Sequence, residues 1–562
     1  MKKENTARSL IVFISIVGLY LILVLNLFYW QVMRGKELKA MGFDQSSSSI
    51  DVPAKRGDIL TSDGFPLATN TISYLVYTNP KVIKDKKTYA LKVSEILGLD
   101  EASISAKLNS NLFWVKIGEF VDPGQKDALS KLNLPGMGFE QQPLRFYPES
   151  SMAAQLVGFL GKNEKGSDHG YFGLEGFYNE QLKGRDGKII AIRDALGTPI
   201  LNDIREEKKI DGRTIQLTVD RSVQFIAERN LKKGVEQFDA VGASVVIMDS
   251  KTGGILAMAT YPQFDPQKYW EFDQKTYKNP VVSSLYEPGS TFKTLVMSSA
   301  IDEGAVTPST RCDICSGPVR IGEYEIETWN GKYFANTTMA EVIEHSDNTG
   351  MVFVGRKMGL DNLLSYFKKF GVGENTGIDL QGEVSAEIKD EKDWYSIDAA
   401  TATFGQGISM TSIELITAVN SIANNGVMMK PYVVSKIVTN EGKEIEIAPK
   451  EIRRTIKEST AKVMTAIMVD AVEKGEAKFA KIEDYKIAGK TGTAQIPVAG
   501  HYDPNQTIAS FVGFFPAGDP KITMLVIFDR PQNSIYGSET AAPIFFSIAR
   551  DLIRYYNIPP SN

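Results

Sequence analysis

Three short strings in the C-terminal half of the chain carry groups suited to acyl transfer: Ser290-Thr291-Phe292-Lys293, Ser346-Asp347-Asn348 and Lys490-Thr491-Gly492-Thr493. They supply a serine hydroxyl to attack, a lysine to take its proton, a second hydroxyl to relay protons and a cationic strand edge to hold a carboxylate. Pro288-Gly289 precedes Ser290, and Phe292, Leu295, Val296 and Ala300 share one helical face before Gly304. The pattern predicts a helix opening at Ser290. There the positive end of the helix dipole favours a developing alkoxide and oxyanion. Lys293 lies on the same side of that helix, within reach of the serine oxygen. Desolvated, such a lysine loses its charge and acts as general base. A lone serine followed three residues later by lysine is ordinarily a helix cap beside a solvated lysine. The company of the other two strings reverses that reading.

Ser346 and Asn348 are separated by one residue, so in an extended or tight-turn segment their side chains face one side of a cleft while Asp347 points away. Ser346 is placed to pass a proton between Lys293 and a leaving group, and the Asn348 amide to orient a substrate amide. His345 adjoins the pair, but no partner carboxylate for a serine–histidine triad is indicated. Lys490 to Thr493 is expected on a strand, where Gly492 omits a side chain so that a ligand can approach the backbone. Lys490, Thr491 and Thr493 then bind a carboxylate, and the backbone N–H groups of Ser290 and Thr493 form the candidate oxyanion hole. Gly489-Lys490-Thr491 also imitates the end of a phosphate-binding loop, but that motif needs glycine where the chain has Asp484.

The rest of the chain must bring these strings together. Ala243 to Asp249 and Gly254 to Ala259 read as a hairpin through Lys251-Thr252-Gly253. Tyr485 to Ile496, Thr507 to Phe515 and Lys521 to Phe528 read as three successive strands, and Thr540 to Tyr556 as a terminal helix. Two early and three late strands around a long helical insert predict an α+β domain with one antiparallel five-stranded sheet flanked by helices. A strand at Thr214 to Val219 and a helix through Gln224 to Leu231 open it, which sets its bounds at 211–562. Residues 50–210 mix strand-like stretches such as Tyr74 to Tyr77 with helical ones such as Tyr89 to Leu97 and hold no catalytic constellation, predicting a separate, elongated α+β module.

A chain of 562 residues is too long for one core, and its net charge of -5 gives no reason to expect nucleic acid. Leu10 to Trp30 is interrupted only by Ser15, Gly18 and Asn26 among clearly non-apolar residues, and as a helix it spans roughly 31 Å, enough to cross a bilayer. It ends in Phe28-Tyr29-Trp30, aromatics suited to a membrane interface, and reads as an uncleaved signal anchor. Lys2, Lys3 and Arg8 favour a cytoplasmic N-terminus, although Arg34, Lys36 and Lys39 weaken the asymmetry. Residues 1–33 are thus expected as tail and transmembrane anchor, and 34–49, with its run of serines, as a flexible stalk. Everything beyond lies outside the cytoplasm. There Cys312 and Cys315 are open to three readings: a disulfide, half of a metal site, or two unpaired thiols. His169, His345 and His501 have no zinc-like spacing to them, which favours a local disulfide or idle thiols over function.

With these residues placed, the chain resembles the class B penicillin-binding proteins, membrane-anchored peptidoglycan D,D-transpeptidases, and most closely their division-type branch. The three strings match the signature shared by penicillin-binding proteins and serine β-lactamases. Glu287-Pro288-Gly289-Ser290-Thr291-Phe292-Lys293 and Gly405-Gln406-Gly407 resemble the family's transpeptidase domain. Arg56-Gly57-Asp58-Ile59 with Asp63-Gly64, Arg145-Phe146-Tyr147-Pro148 and Gly173-Leu174-Glu175-Gly176 resemble patches of its non-catalytic N-terminal module, a pedestal or dimerisation-type domain. The resemblance implies a penicillin-binding, serine β-lactamase-like transpeptidase fold with the nucleophile at Ser290. Lys293, Ser346, Asn348, Lys490, Thr491 and Thr493 take the roles given above.

The implied reaction has two steps, without metal or cofactor. Ser290 attacks the D-Ala-D-Ala bond of a stem peptide and D-Ala leaves; an amine of a neighbouring stem then resolves the acyl-enzyme. The implied partners are peptidoglycan stem peptides, β-lactam antibiotics that acylate the same serine, and other division or elongation proteins. No glycosyltransferase segment is recognisable before residue 210, so a SEDS-type glycan polymerase is expected among them. The implied location is the bacterial cell membrane, single-pass, with the catalytic domain outside. Two other readings are a β-lactamase or β-lactam sensor, which lacks support from any Glu-x-x-Leu-Asn string, and a non-catalytic scaffold of the wall-synthesis complex, against which three intact strings stand.

Overall fold

The structure, a computed structural model, describes residues 2–193, 199–498 and 501–561. The chain divides into two compact units, residues 1–54 with 184–211, and residues 55–183 with 212–562. In the first unit the apolar N-terminal run forms a helix over Lys2–Phe28, continued by a π-helical turn at Tyr29–Met33. Thr6–Met33, with a mean hydropathy of 2.8, is exposed throughout and is long and apolar enough to cross a membrane. The expected flexible stalk is corrected. Gly35–Ser46 is helical, and Ser47–Val52 is a strand paired with Gly187–Arg193, which pairs in turn with Pro199–Glu207. A serine run reads as flexible because it has little to bury, but here a strand distant in sequence satisfies its backbone.

In the second unit, strand Pro66–Thr78 pairs with Val115–Val121 and Met137–Phe146. Helices Lys86–Leu97, Glu101–Leu108 and Pro123–Lys131 cover this sheet around Val76, Tyr89, Val93, Ile104 and Leu129. Each helix starts at an aspartate, Asp85, Asp100 or Asp122, whose carboxylate accepts a backbone N–H of the first turn. Segments from both sides of the expected boundary at 210 share this unit, because strand Thr214–Leu217 runs parallel to Ile59–Leu60 and antiparallel to Val434–Val438 in one sheet.

Within this unit lies a buried ion cluster. Glu175 accepts hydrogen bonds from Arg56 Nε at 2.6 Å and Arg145 Nε at 2.7 Å. Burial pushes the Glu175 carboxyl upward, but the two guanidiniums overcome it and hold it below the ordinary glutamate range.

The sheet that carries the third motif is built around α1 (Arg221–Phe238), capped by Asp220, and strands β1 (Ala240–Asp249) and β2 (Ile255–Tyr261). Next come helices α2 (Lys293–Glu303), α3 (Met339–Glu344), α4 (Asn348–Met358), α5 (Ser412–Ala423) and α6 (Glu458–Glu473). Strands β3 (Ala488–Val498), β4 (His501–Phe515) and β5 (Ile522–Pro531) and helix α7 (Ala541–Tyr555) finish the chain. The sheet order is β2-β1-β5-β4-β3 with every neighbouring pair antiparallel, which is the arrangement expected from two early and three late strands.

Both faces of the sheet are covered, and its side chains alternate between two cores. Val245, Ile247, Phe511 and Val526 share one core with residues of α1 and α7, whereas Val246, Met248, Val512 and Leu525 join those of α2, α5 and α6. β3 is one of the two edge strands of this sheet, and its Thr491 and Thr493 line a groove.

Candidate active site

Ser290 sits in a single 3-10 turn, Gly289–Thr291, that leads into α2. The turn depends on close approach. Gly289 has φ +55 and donates its N–H to the Gly405 carbonyl at 3.0 Å, and a Cβ on Gly405 would lie 2.3 Å from the Gly289 carbonyl oxygen. Ser290 is thus held by the Gly405-Gln406-Gly407 loop and caps no helix through its side chain.

Lys293, in the first turn of α2, is fully excluded from solvent. Its Nζ donates to the Ser346 carbonyl at 2.6 Å and to Asn348 Oδ1 at 2.8 Å, with the Ser346 hydroxyl at 3.4 Å. Burial, and after it the neighbouring Lys490 cation, push its pKa well below the ordinary lysine value; Asp347 and Glu476 oppose them. A neutral amine has two protons and one lone pair. Both carbonyl oxygens can only accept, so they take the two protons and leave the lone pair for a hydroxyl such as that of Ser346.

Ser346 and Asn348 occupy the turn between α3 and α4. Ser346 has φ 56, a left-handed conformation uncommon for serine, and with this backbone its carbonyl and hydroxyl both come to Lys293. Asn348 opens α4; Oδ1 accepts from Lys293 while Nδ2 donates to the Glu327 carbonyl at 2.9 Å, so its amide is already tied at both ends. Asp347 turns away as expected and caps α4, accepting from the Thr349 N–H at 2.8 Å. His345 stacks on Phe334 at 4.2 Å. Cys312 and Cys315 form a buried disulfide, and among the described residues no group of three or more His, Cys, Asp or Glu side chains is placed to hold a metal.

On β3, Lys490 is also buried, and its Nζ donates to the Thr491 carbonyl and hydroxyl, each at 3.1 Å. Burial lowers its pKa and Glu476 opposes the shift. The Thr491 hydroxyl donates in turn to Glu476 Oε2 at 2.9 Å, whereas the Thr493 hydroxyl accepts from the Gly537 N–H at 3.0 Å and keeps its proton for the groove.

Gly492 is needed for a different contact from the one its sequence suggests. A Cβ there would lie 2.4 Å from Ser510 Oγ and 2.8 Å from Thr291 Cγ2, so the missing side chain lets the strand pack on the Ser290 turn. Ser290, Ser346, Asn348, Thr491 and Thr493 line one cleft of about 490 Å³, with Lys293 and Lys490 bonded beneath them. Glu476 and the paired rings of Trp329 and Tyr536 also line it, and no motif announced them.

Chemically, this arrangement can carry out serine acyl transfer. Residues 243–550 match the penicillin binding protein transpeptidase domain and residues 51–217 the penicillin-binding protein dimerisation domain. The first match alone spans more than half of the chain, which belongs to the penicillin-binding protein transpeptidase family. Stage V sporulation protein D of Bacillus subtilis is 31% identical over 100% of this chain and 88% of its own length. The probable peptidoglycan D,D-transpeptidase PenA of Neisseria meningitidis serogroup A is 27% identical over 100% of this chain and 95% of its own. Penicillin binding protein 3 of Mycobacterium tuberculosis, solved in complex with aztreonam, is 26% identical with a TM-score of 0.71, covering 91% of this chain and 98% of that one.

Proposed function

We propose that this chain is a peptidoglycan D,D-transpeptidase whose nucleophile is Ser290. The observation that carries the assignment is Lys293: buried, free of any ion pair with a described residue, and bonded so that a neutral amine would turn its lone pair toward a hydroxyl. In the first step the Ser290 oxygen bonds to the penultimate D-Ala carbonyl and its proton passes to Lys293. The C–N bond then breaks, and the proton reaches the departing D-Ala amine through Ser346. Backbone N–H groups of Ser290 and Thr493 hold the oxyanion. Lys490 and the Thr493 hydroxyl receive the terminal carboxylate, with Thr491 and Gly492 shaping the strand edge. In the second step an amine of a neighbouring stem attacks the acyl carbonyl, the ester C–O bond to Ser290 breaks, and a proton from the amine returns through Lys293 to the Ser290 oxygen.

A β-lactam ring is opened by the same attack, a reading supported by the relative solved with aztreonam. The apolar N-terminal helix supports a single-pass anchor in the bacterial cell membrane, with a cytoplasmic N-terminus and the catalytic cleft outside. There the protein works in septal or elongation wall synthesis beside a SEDS-type polymerase that supplies glycan strands. Labelling with a fluorescent penicillin tests the assignment. Wild type takes up one label per molecule that persists, and Ser290→Ala takes up none while melting as wild type does, since Ser290 caps no helix. Stoichiometric labelling of Ser290→Ala would place the nucleophile elsewhere, and rapid loss of label from wild type would make the protein a β-lactamase.

A further inference from the structure

Two buried lysines share this cleft, and the proposed chemistry needs them in opposite states: Lys293 neutral to accept a proton and Lys490 charged to hold a carboxylate. Neither is in a direct ion pair with a described residue. They differ in what lies behind them. Lys293 donates to two carbonyl oxygens and, at 3.4 Å, the Ser346 hydroxyl, whereas Lys490 donates to the Thr491 carbonyl and to the Thr491 hydroxyl, which donates in turn to the Glu476 carboxylate. That chain of two hydrogen bonds joins an ammonium to a carboxylate through one hydroxyl.

Glu476 is held in place for this contact. It follows α6 in a turn where Gly475 has no room for a side chain; a Cβ there would lie 2.3 Å from the Ala471 carbonyl oxygen and 2.8 Å from that of Glu344. The turn is therefore pinned between α6 and α3. Charged groups reach the lysine pair from each element around it: Lys293 itself from α2, Asp347 from the start of α4 and Glu476 from the end of α6. On β4, the residue in register with Lys490 is the uncharged Val512. Asp347 spends one oxygen on the backbone and hydroxyl of Thr349. Glu476 is the carboxylate connected to Lys490.

We propose that Glu476 is the counter-ion of Lys490, acting through the Thr491 hydroxyl, and that it fixes which of the two lysines keeps its proton, so that the cleft selects acyl donors ending in a carboxylate. Glu476 touches no reacting atom and is a positioning residue. The inference rests on the roles given above to Ser290, Lys293 and Lys490. Because the lysines interact, their protons come off as a pair, and the working state holds one proton between them. Glu476 favours the protonated form of both, but at Lys293 it ranks behind Asp347 and acts against Lys490, whereas at Lys490 it is, among the described residues, the one charge opposing burial, so the bias falls on Lys490. Its removal therefore moves the whole working window to lower pH.

The experiment is the pH dependence of the second-order acylation rate, for the full chain and for Glu476→Gln, with a penicillin and with its uncharged methyl ester. The amide keeps an acceptor for Thr491 but removes the charge. Both limbs of the Glu476→Gln profile are expected to move down on the order of one pH unit. On the alkaline side, acylation by the anionic penicillin falls further than acylation by the ester, and Glu476→Asp restores the wild-type window. If Glu476→Gln melts early, Thr491→Val, which cuts the same link from the other end, must give the same shift. Unmoved limbs in a folded Glu476→Gln protein, or an equal loss for both donors, overturn the proposal. Failure of wild type to be acylated at Ser290 at all would instead overturn the reading of the site on which it rests.

Discussion

Glu175 and Lys293 are equally hidden from solvent, yet Glu175 meets two guanidiniums at 2.6 and 2.7 Å while Lys293 meets two carbonyl oxygens and, among the described residues, no carboxylate. Burial opposes the charge of each. In the Arg56–Glu175–Arg145 cluster direct pairing outweighs it and the carboxyl stays ionised. In the cleft no described residue forms a direct ion pair with Lys293, and the lysine is driven toward its neutral form. A compensated buried charge holds structure together, whereas an uncompensated one is poised to exchange a proton.

Removing the charge that compensates the first cluster should have the largest effect. Glu175→Gln leaves two buried guanidiniums facing a neutral amide, so unfolding should become easier by about 3–5 kcal/mol. Denaturant unfolding reads this, and acylation per folded molecule should stay as in wild type. The sign with pH follows from the depressed carboxyl: its contribution is complete above the ordinary glutamate pKa and is lost as pH falls through the lower folded value. A Glu175→Gln protein that unfolds like wild type would mean the cluster is a bystander.

A smaller effect sharpens the boundary of the catalytic side. Cys312 and Cys315 are three positions apart, and closing so short a loop contributes about 2 kcal/mol through chain entropy. The double Cys→Ser variant should lose no more stability than this and should acylate as wild type does. Lost acylation in a folded double variant would tie the disulfide to the site.

The sequence made some of this legible and hid the rest for physical reasons. The five strands and the terminal helix were readable because each is a local apolar run, and the three motifs because their spacing is short. The left-handed Ser346 and the tying of Asn348 to Lys293 and Glu327 were not, since both follow from how α3 and α4 meet α2. Glu476 carries no motif and reaches Thr491 only because α6 ends beside β3. Arg56, Arg145 and Glu175 stood out as family patches, but their convergence on one buried carboxylate depends on pairings distant in sequence. The serine run misled because composition says nothing about a strand arriving from residues 187–193.

Whether Lys293 accepts the Ser290 proton is read by the acylation rate of Lys293→Arg. Arginine keeps the positive charge and nearly the same reach but holds a group that stays protonated. The second-order rate of acylation by a penicillin, measured on the folded fraction, should fall by at least ~100-fold. Lys293→Met, which removes the base without burying a charge, should show a similar loss. A folded Lys293→Arg protein that acylates within a few-fold of wild type would contradict the account, because Lys293 would then act only as a charge and the proton would leave by another route.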